Sequence, residues 1–131
     1  MARTLTAVTD ADEIRNTIAR FAQCLDDRRF KEFSETFAED GAFADRKGRQ
    51  AIFDWISHAE LAQRPELKRK HAIVNVIVDV DGDRATSTSD LVMFDQVGDG
   101  PVTIRTGRYT DELAKQPDGR WLIKLRNLKM I

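Results

Sequence analysis

The chain has 131 residues, enough for one sizeable core, and residues 1–131 are read as a single domain. Lys and Arg number 21 against 22 Asp and Glu, a formal net charge of −1 that gives no electrostatic case for nucleic acid or an acidic membrane surface. The one cysteine, Cys24, excludes an intrachain disulfide or a thiolate cluster, and with only His58 and His71 as histidines a protein-built zinc site is not expected.

No stretch reaches the length of a membrane span, and the N-terminus lacks the apolar core of a signal peptide. A soluble cytoplasmic protein is the expectation. Residues 1–9 read as a loose lead-in. Asp10, with Glu13 behind it, resembles a capping box and opens a first helix running to about Asp27. Phe30, Phe33 and Phe37 recur at helical spacing and predict a short second helix with an aromatic, core-facing side. Asp40-Gly41 breaks it, and residues 42–45 read as a short extended piece. Ile52, Trp55 and Ile56 predict a third helix that ends near Leu61, with Trp55 as core or pocket wall. Pro65 and the Lys68-Arg69-Lys70 run read as an exposed basic connection.

The second half changes character. His71 to Val80 is rich in Val and Ile and reads as a strand. Asp81-Gly82 signals a hairpin, and Arg84 to Asp95 is the return strand. Val102 to Leu113 and Trp121 to Met130 complete an antiparallel meander after Gly/Pro-rich breaks. Three helices followed by a meander is an α+β architecture. Strict alternation puts His71, Ile73, Asn75 and Ile77 on one face of the first long strand, and Ala72, Val74, Val76, Val78 and Val80 on the other. The helices can cover only one side, so the aliphatic outer face is expected to be buried in a homodimer or homotrimer.

The first helix carries the chemical question. Ile14, Ile18, Phe21, Ala22 and Leu25 form its apolar stripe, and Cys24, off that stripe, reads as an inert thiol. At about 100° per residue Asp26 lies roughly 90° from the stripe's centre and Asp27 roughly 170° away. Asp26 therefore either reaches solvent at the helix end or meets a partner at the edge of the core. His71, on the mixed strand face, is the partner on offer. A carboxylate against an imidazole fixes its tautomer and raises its basicity, which is what proton abstraction needs. Arg105, Arg108 and Lys124 read as solvated or interfacial, His58 as exposed, and the direction of Tyr109 relative to Arg108 is left open by the sequence.

The order of elements, Phe37-Ala38-Glu39-Asp40-Gly41, the run from Gly107 to Leu113, and Asp118-Gly119-Arg120-Trp121 together resemble the SnoaL-like branch of the NTF2-like superfamily over roughly residues 10–128. That resemblance implies a cone: a strongly curved antiparallel sheet around three helices, with a deep apolar pocket. Within the superfamily the chain is similar to hexachlorocyclohexane dehydrochlorinase and, more distantly, to scytalone dehydratase, which implies an Asp26–His71 dyad and a pocket arginine at Arg126. Phe21 stands where the dehydrochlorinase has a lysine and where related enzymes often carry tyrosine. A ketosteroid isomerase-like route would use Asp45 as base, but Phe21 again lacks the hydroxyl that an enolate requires. The expectation is a lyase or isomerase without cofactor or metal, acting on a small cyclic apolar molecule through Asp26, His71 and Arg126. Phe21, Trp55, Asn75 and Tyr109 are expected to bind that molecule. A non-catalytic binding protein and a polyketide cyclase-like enzyme are the alternatives.

Overall fold

Thr9, rather than Asp10, caps the first helix: its hydroxyl accepts the Asp12 amide at 3.1 Å in the computed structural model, which describes residues 8–131. Residues 1–7 of the expected lead-in lie outside the described residues. Asp10 is thereby released from capping and accepts the indole N–H of Trp121 at 2.9 Å.

Helix α1 runs Asp10–Asp26 and buries Ile14, Ile18, Phe21, Ala22 and Leu25, as the stripe requires. Cys24 is buried as well, so the apolar face is wider than the sequence stripe. The helix ends in paired hydrogen bonds, from the Arg28 amide to Leu25 and from the Arg29 amide to Cys24, with Arg28 in the left-handed region at φ 57°. The conformation is unusual for arginine and is held by its side chain. The guanidinium donates to the carbonyls of Leu61, Arg64 and Leu67 at 3.3, 3.3 and 2.6 Å.

Helix α2 is shorter than expected, Phe30–Ser34. The Thr36 hydroxyl donates to the Phe33 carbonyl, the chain turns, and Phe37 opens strand β1, Phe37–Phe43. Phe37 keeps its predicted place in the core but reaches it from a strand. Strand β2 is Arg46–Lys47. The expected third helix is split: α3 spans Arg49–Ile56 and α4 spans Glu60–Gln63, parted where the Ser57 hydroxyl donates to the Phe53 carbonyl.

The long strands are β3 Leu67–Asp81, β4 Arg84–Val97, β5 Thr103–Lys115 and β6 Trp121–Met130. They form one six-stranded sheet in the order β2-β1-β6-β5-β4-β3. Neighbours are antiparallel except β1 and β6, which run parallel. The architecture is α+β, helices packed against a curved sheet, as expected. Lys68 to Lys70, read as a connection, is instead part of β3, because the strand starts four residues before His71. Among the described residues no helix is long and apolar enough to cross a membrane.

A bulge in β3 corrects the expected faces. Val74 pairs with Asp90 and Ile77 with Thr88, so one extra residue is accommodated at Asn75, whose φ is 54°. Before the bulge His71 and Ile73 point inward; after it Val76 and Val78 do, packed on the core. Asn75 is turned to the outer face, where it donates to Asp90 at 2.9 Å, and it is not a pocket residue. The outer face carries Val74, Ile77 and Ile104, the last two 62% and 60% exposed.

Strand β1 lies close against β6 at Gly41, where an added Cβ would lie 2.6 Å from the Ile123 carbonyl oxygen and 2.9 Å from that of Ala38. Neither backbone atom can step aside cheaply. Gly41→Ala is expected to cost about 2 kcal/mol, read as a fall in thermal midpoint; an unchanged midpoint would show that the strands are not this close.

Candidate active site

The inner face of the sheet and the helices enclose a cavity of about 350 Å³, within the range of small-molecule sites. Its wall is largely apolar: Phe21 and Leu25 from α1, Phe33 from α2, Phe43 from β1, Trp55 and Ile56 from α3, and Leu91, Met93 and Leu128 from the sheet. The aromatic rings pack on one another, Phe21 against Phe33 at 4.7 Å between centroids and Phe43 against Trp55 at 5.4 Å. Phe21 and Trp55 are therefore in the wall.

His71 belongs to the same wall. Asp26, at the last turn of α1, accepts from its Nδ1 at 2.6 Å. The same carboxylate also receives the His71 backbone amide, at 3.0 Å to Oδ1 and 3.2 Å to Oδ2. Both side chains are almost wholly buried, and the Lys70 ammonium stands 3.7 Å from Oδ2. An ionised carboxylate only accepts, so the ring proton resides on Nδ1 and the lone pair on Nε2. That is the tautomer a general base needs. Asp26 also borders a separate crevice of about 230 Å³ between α1 and β3, where Lys70 and Gln23 stand.

Arg126 is not where the resemblance implied. It is fully buried, it is not part of the cavity wall, and its Nε lies 2.9 Å from Asp111 Oδ1. Its guanidinium carbon sits 3.6 Å from the centre of the Tyr109 ring and 4.3 Å from that of Phe21. Two aromatic rings thus stand between this cation and any ligand. Burial pushes the Asp111 carboxyl up and the Arg126 guanidinium down, each opposed by the other's charge. Ser87 donates to Asp111 at 2.8 Å, and Asp111 with Ser87 forms the part of this cluster that sequence reading missed. The alternation Tyr109, Asp111, Leu113 is the signal that carried it, since all three share the inner face.

Tyr109 points inward and is 2% exposed, while Arg108 points outward and donates to Asp90 at 2.8 Å. Asp45, the base of the alternative route, is exposed beyond the end of β1 and takes no part in the cavity. His58 is exposed, and burial pushes the Cys24 thiol up, which suits an inert thiol.

The cavity rim is charged. Arg69 holds Asp95 bidentately, at 2.7 and 2.8 Å, and reaches Glu60 at 2.7 Å. Arg105 comes within 3.6 Å of Asp95 and is otherwise turned to solvent. Among the described residues no group of three or more His, Cys, Asp or Glu side chains could hold a metal ion.

The SnoaL-like domain family matches residues 6–127. Among solved structures, the chain is similar to the D26N variant of Rv3472, a protein of unknown function from Mycobacterium tuberculosis, at 30% identity and a TM-score of 0.79 over 91% of this chain and 74% of that one. An NTF2-like protein with a cystatin-like fold from Novosphingobium aromaticivorans matches at 27% identity, with a TM-score of 0.82 over 93% of this chain and 82% of that one. A putative scytalone dehydratase from the same organism shares the fold at 22% identity, with a TM-score of 0.79 over 93% and 84%. No curated protein matches.

The Arg69 hydrogen bonds hold the Asp95 carboxyl below its ordinary range. A carboxyl depressed in the folded state stabilises above its unfolded pKa of about 3.9 and loses that contribution as pH falls through the folded value. Asp95→Asn is therefore expected to cost about 1–2 kcal/mol at neutral pH and progressively less in acid, measured by urea unfolding at several pH values. A cost independent of pH would assign it to packing instead.

Proposed function

Because the chain belongs to the SnoaL-like domain family, we propose that it is a cofactor-independent lyase or isomerase whose base is His71, oriented by Asp26. The observation that carries this reading is the 2.6 Å contact between His71 Nδ1 and Asp26, made by a histidine that also walls an apolar cavity. A histidine held so can remove a proton from carbon in a bound molecule and return it to a departing group. The favoured form is dehydratase-like β-elimination from a small cyclic substrate, with apolar rings supplying most of the binding. A polyketide cyclase-like reaction would use the same base and the same wall.

One observation favours a second reading, a non-catalytic binding protein. With Phe21 on the helix and Arg126 behind the rings, the cavity lacks the cations expected from the dehydrochlorinase resemblance. Turnover of cyclic β-hydroxy ketones separates the two. His71→Ala and Asp26→Asn are each expected to lower kcat/KM by about 10²–10⁴-fold, with Asp26→Asn also abolishing the downfield Nδ1 proton resonance of His71. Full turnover in both variants would remove the dyad.

The outer sheet face supports a partner as well. Val74 and Ile77 expose branched aliphatic side chains beside the Asp90–Arg108 pair, and Ile104 does so further along β5, so a second copy could place apolar on apolar and opposite charges together. A homodimer or homotrimer through this face is the assembly proposed. Light scattering is expected to give a multiple of 14.9 kDa, and Ile104→Asp should shift it to the monomer. A wild-type monomer at micromolar concentration would overturn the assembly.

A further inference from the structure

We propose that Arg105, at the mouth of the cavity, holds the anionic end of the ligand, so that the ligand is an acid: an apolar ring body seated in the cavity with a carboxylate reaching out to the rim. The proposal names the substrate class of the site described above. It rests on that reading for the cavity as the place of binding, and not on His71 acting as a base.

The register of the sheet sets the geometry. His71 pairs with Met93 across β3 and β4, and Met93 pairs with Arg105 across β4 and β5, so the three stand in one row on the inner face. At about 4.8 Å between neighbouring strands, the His71 and Arg105 backbones are about 10 Å apart. All three residues line the cavity. Between Arg105 and Tyr109 the inner face of β5 carries only Gly107, so no side chain of that strand screens the guanidinium from the space inside. A ring lying on Met93 therefore meets the imidazole on one side and a cation on the other.

Among the charges of the rim, Arg105 is the one with donors to spare. Arg69 holds Asp95 with two hydrogen bonds and reaches Glu60, which Arg64 also approaches at 3.4 Å, so both rim carboxylates are occupied. Arg105 comes no closer to Asp95 than 3.6 Å, too far for a hydrogen bond, and its side chain is 56% exposed. Asp95 needs nothing more from it: the hydrogen bonds from Arg69 are the chief cause of its lowered pKa, and the Arg105 charge comes behind them. A guanidinium with unused in-plane donors beside an apolar wall is a fork for a carboxylate. The ring body leaves water as it enters the cavity, while the charged end stays at the wet rim and keeps its hydration on the outer side. A cationic ligand is disfavoured by the same arrangement, because neither rim carboxylate is left to receive it.

The test uses 2-naphthylacetate and its uncharged amide, 2-naphthylacetamide, two probes with the same ring and nearly the same size, with affinities measured by calorimetry at neutral pH. The wild-type protein is expected to bind the acid about tenfold more tightly than the amide, the size of one charge-assisted pair, and the margin should narrow at high salt. Arg105→Gln should weaken the acid by that factor and leave the amide unchanged. The substitution strands no charge, because Arg69 keeps Asp95 paired. Arg120→Gln removes a cation that pairs with Asp118 outside the cavity wall, and it should keep the preference; a loss there would make the preference one of net charge and overturn the assignment. The acid should also shift the methyl resonance of Met93, and acid bound without that shift would lie outside the cavity and sink the proposal. So would equal affinity for the two probes, no binding of either, or an undiminished preference in Arg105→Gln. Failure of the dyad shows as full turnover in His71→Ala and Asp26→Asn, whereas the acid preference is read in binding alone, so the two readings fail separately.

Discussion

The Asp26 carboxylate is the joint on which the cavity depends. It takes two hydrogen bonds from one residue, the ring and the backbone amide of His71, and so fixes both the side chain and the strand that carries it. A buried carboxylate with fewer donors would be costly to desolvate; with both, its charge is stabilised where it is needed. The last turn of α1 is in turn locked by the Arg28 reversal, whose guanidinium binds three carbonyls from the α4 segment and the start of β3. Helix end, imidazole and strand are therefore positioned as one unit, and the imidazole cannot shift without unpairing several polar groups.

The second buried charge works differently. Arg126 and Asp111 share one of the driest places in the molecule, both essentially unexposed. A pair like this seldom adds net stability over an apolar replacement, because desolvation offsets most of the attraction. Its effect is on the field around it: a fixed cation under aromatic rings that form the cavity wall. The cavity is thus apolar to touch and yet electrostatically asymmetric.

Much of this was legible in the residues. The α1 stripe, Asp26 at its edge, the His71 strand and the hairpins follow from periodicity and turn chemistry, which depend on near neighbours only. What failed depended on distant partners. Phe37 has helical spacing, but parallel pairing with β6 claims it for a strand. Asp10 looks like a cap, but Trp121 competes for its carboxylate. Arg126 matched a pocket arginine by position, and nothing in its local sequence reveals that Asp111, on the adjacent strand, faces it. Asn75 was lost to a one-residue bulge that alternation cannot see.

That bulge has an evolutionary side. It acts as a phase switch in the two-residue code of β3, so the segment from Val76 onward is written in the opposite frame from the segment before it. The proximal half is bound by its contact with Asp26 to keep His71 inward, whereas the distal half answers only to core packing and to whatever meets the outer face. An insertion or deletion confined to this point would exchange Ile77 with Val76 and Val78 and leave the His71 end in register. Residues of the outer surface beyond the bulge can therefore change without disturbing the Asp26–His71 contact.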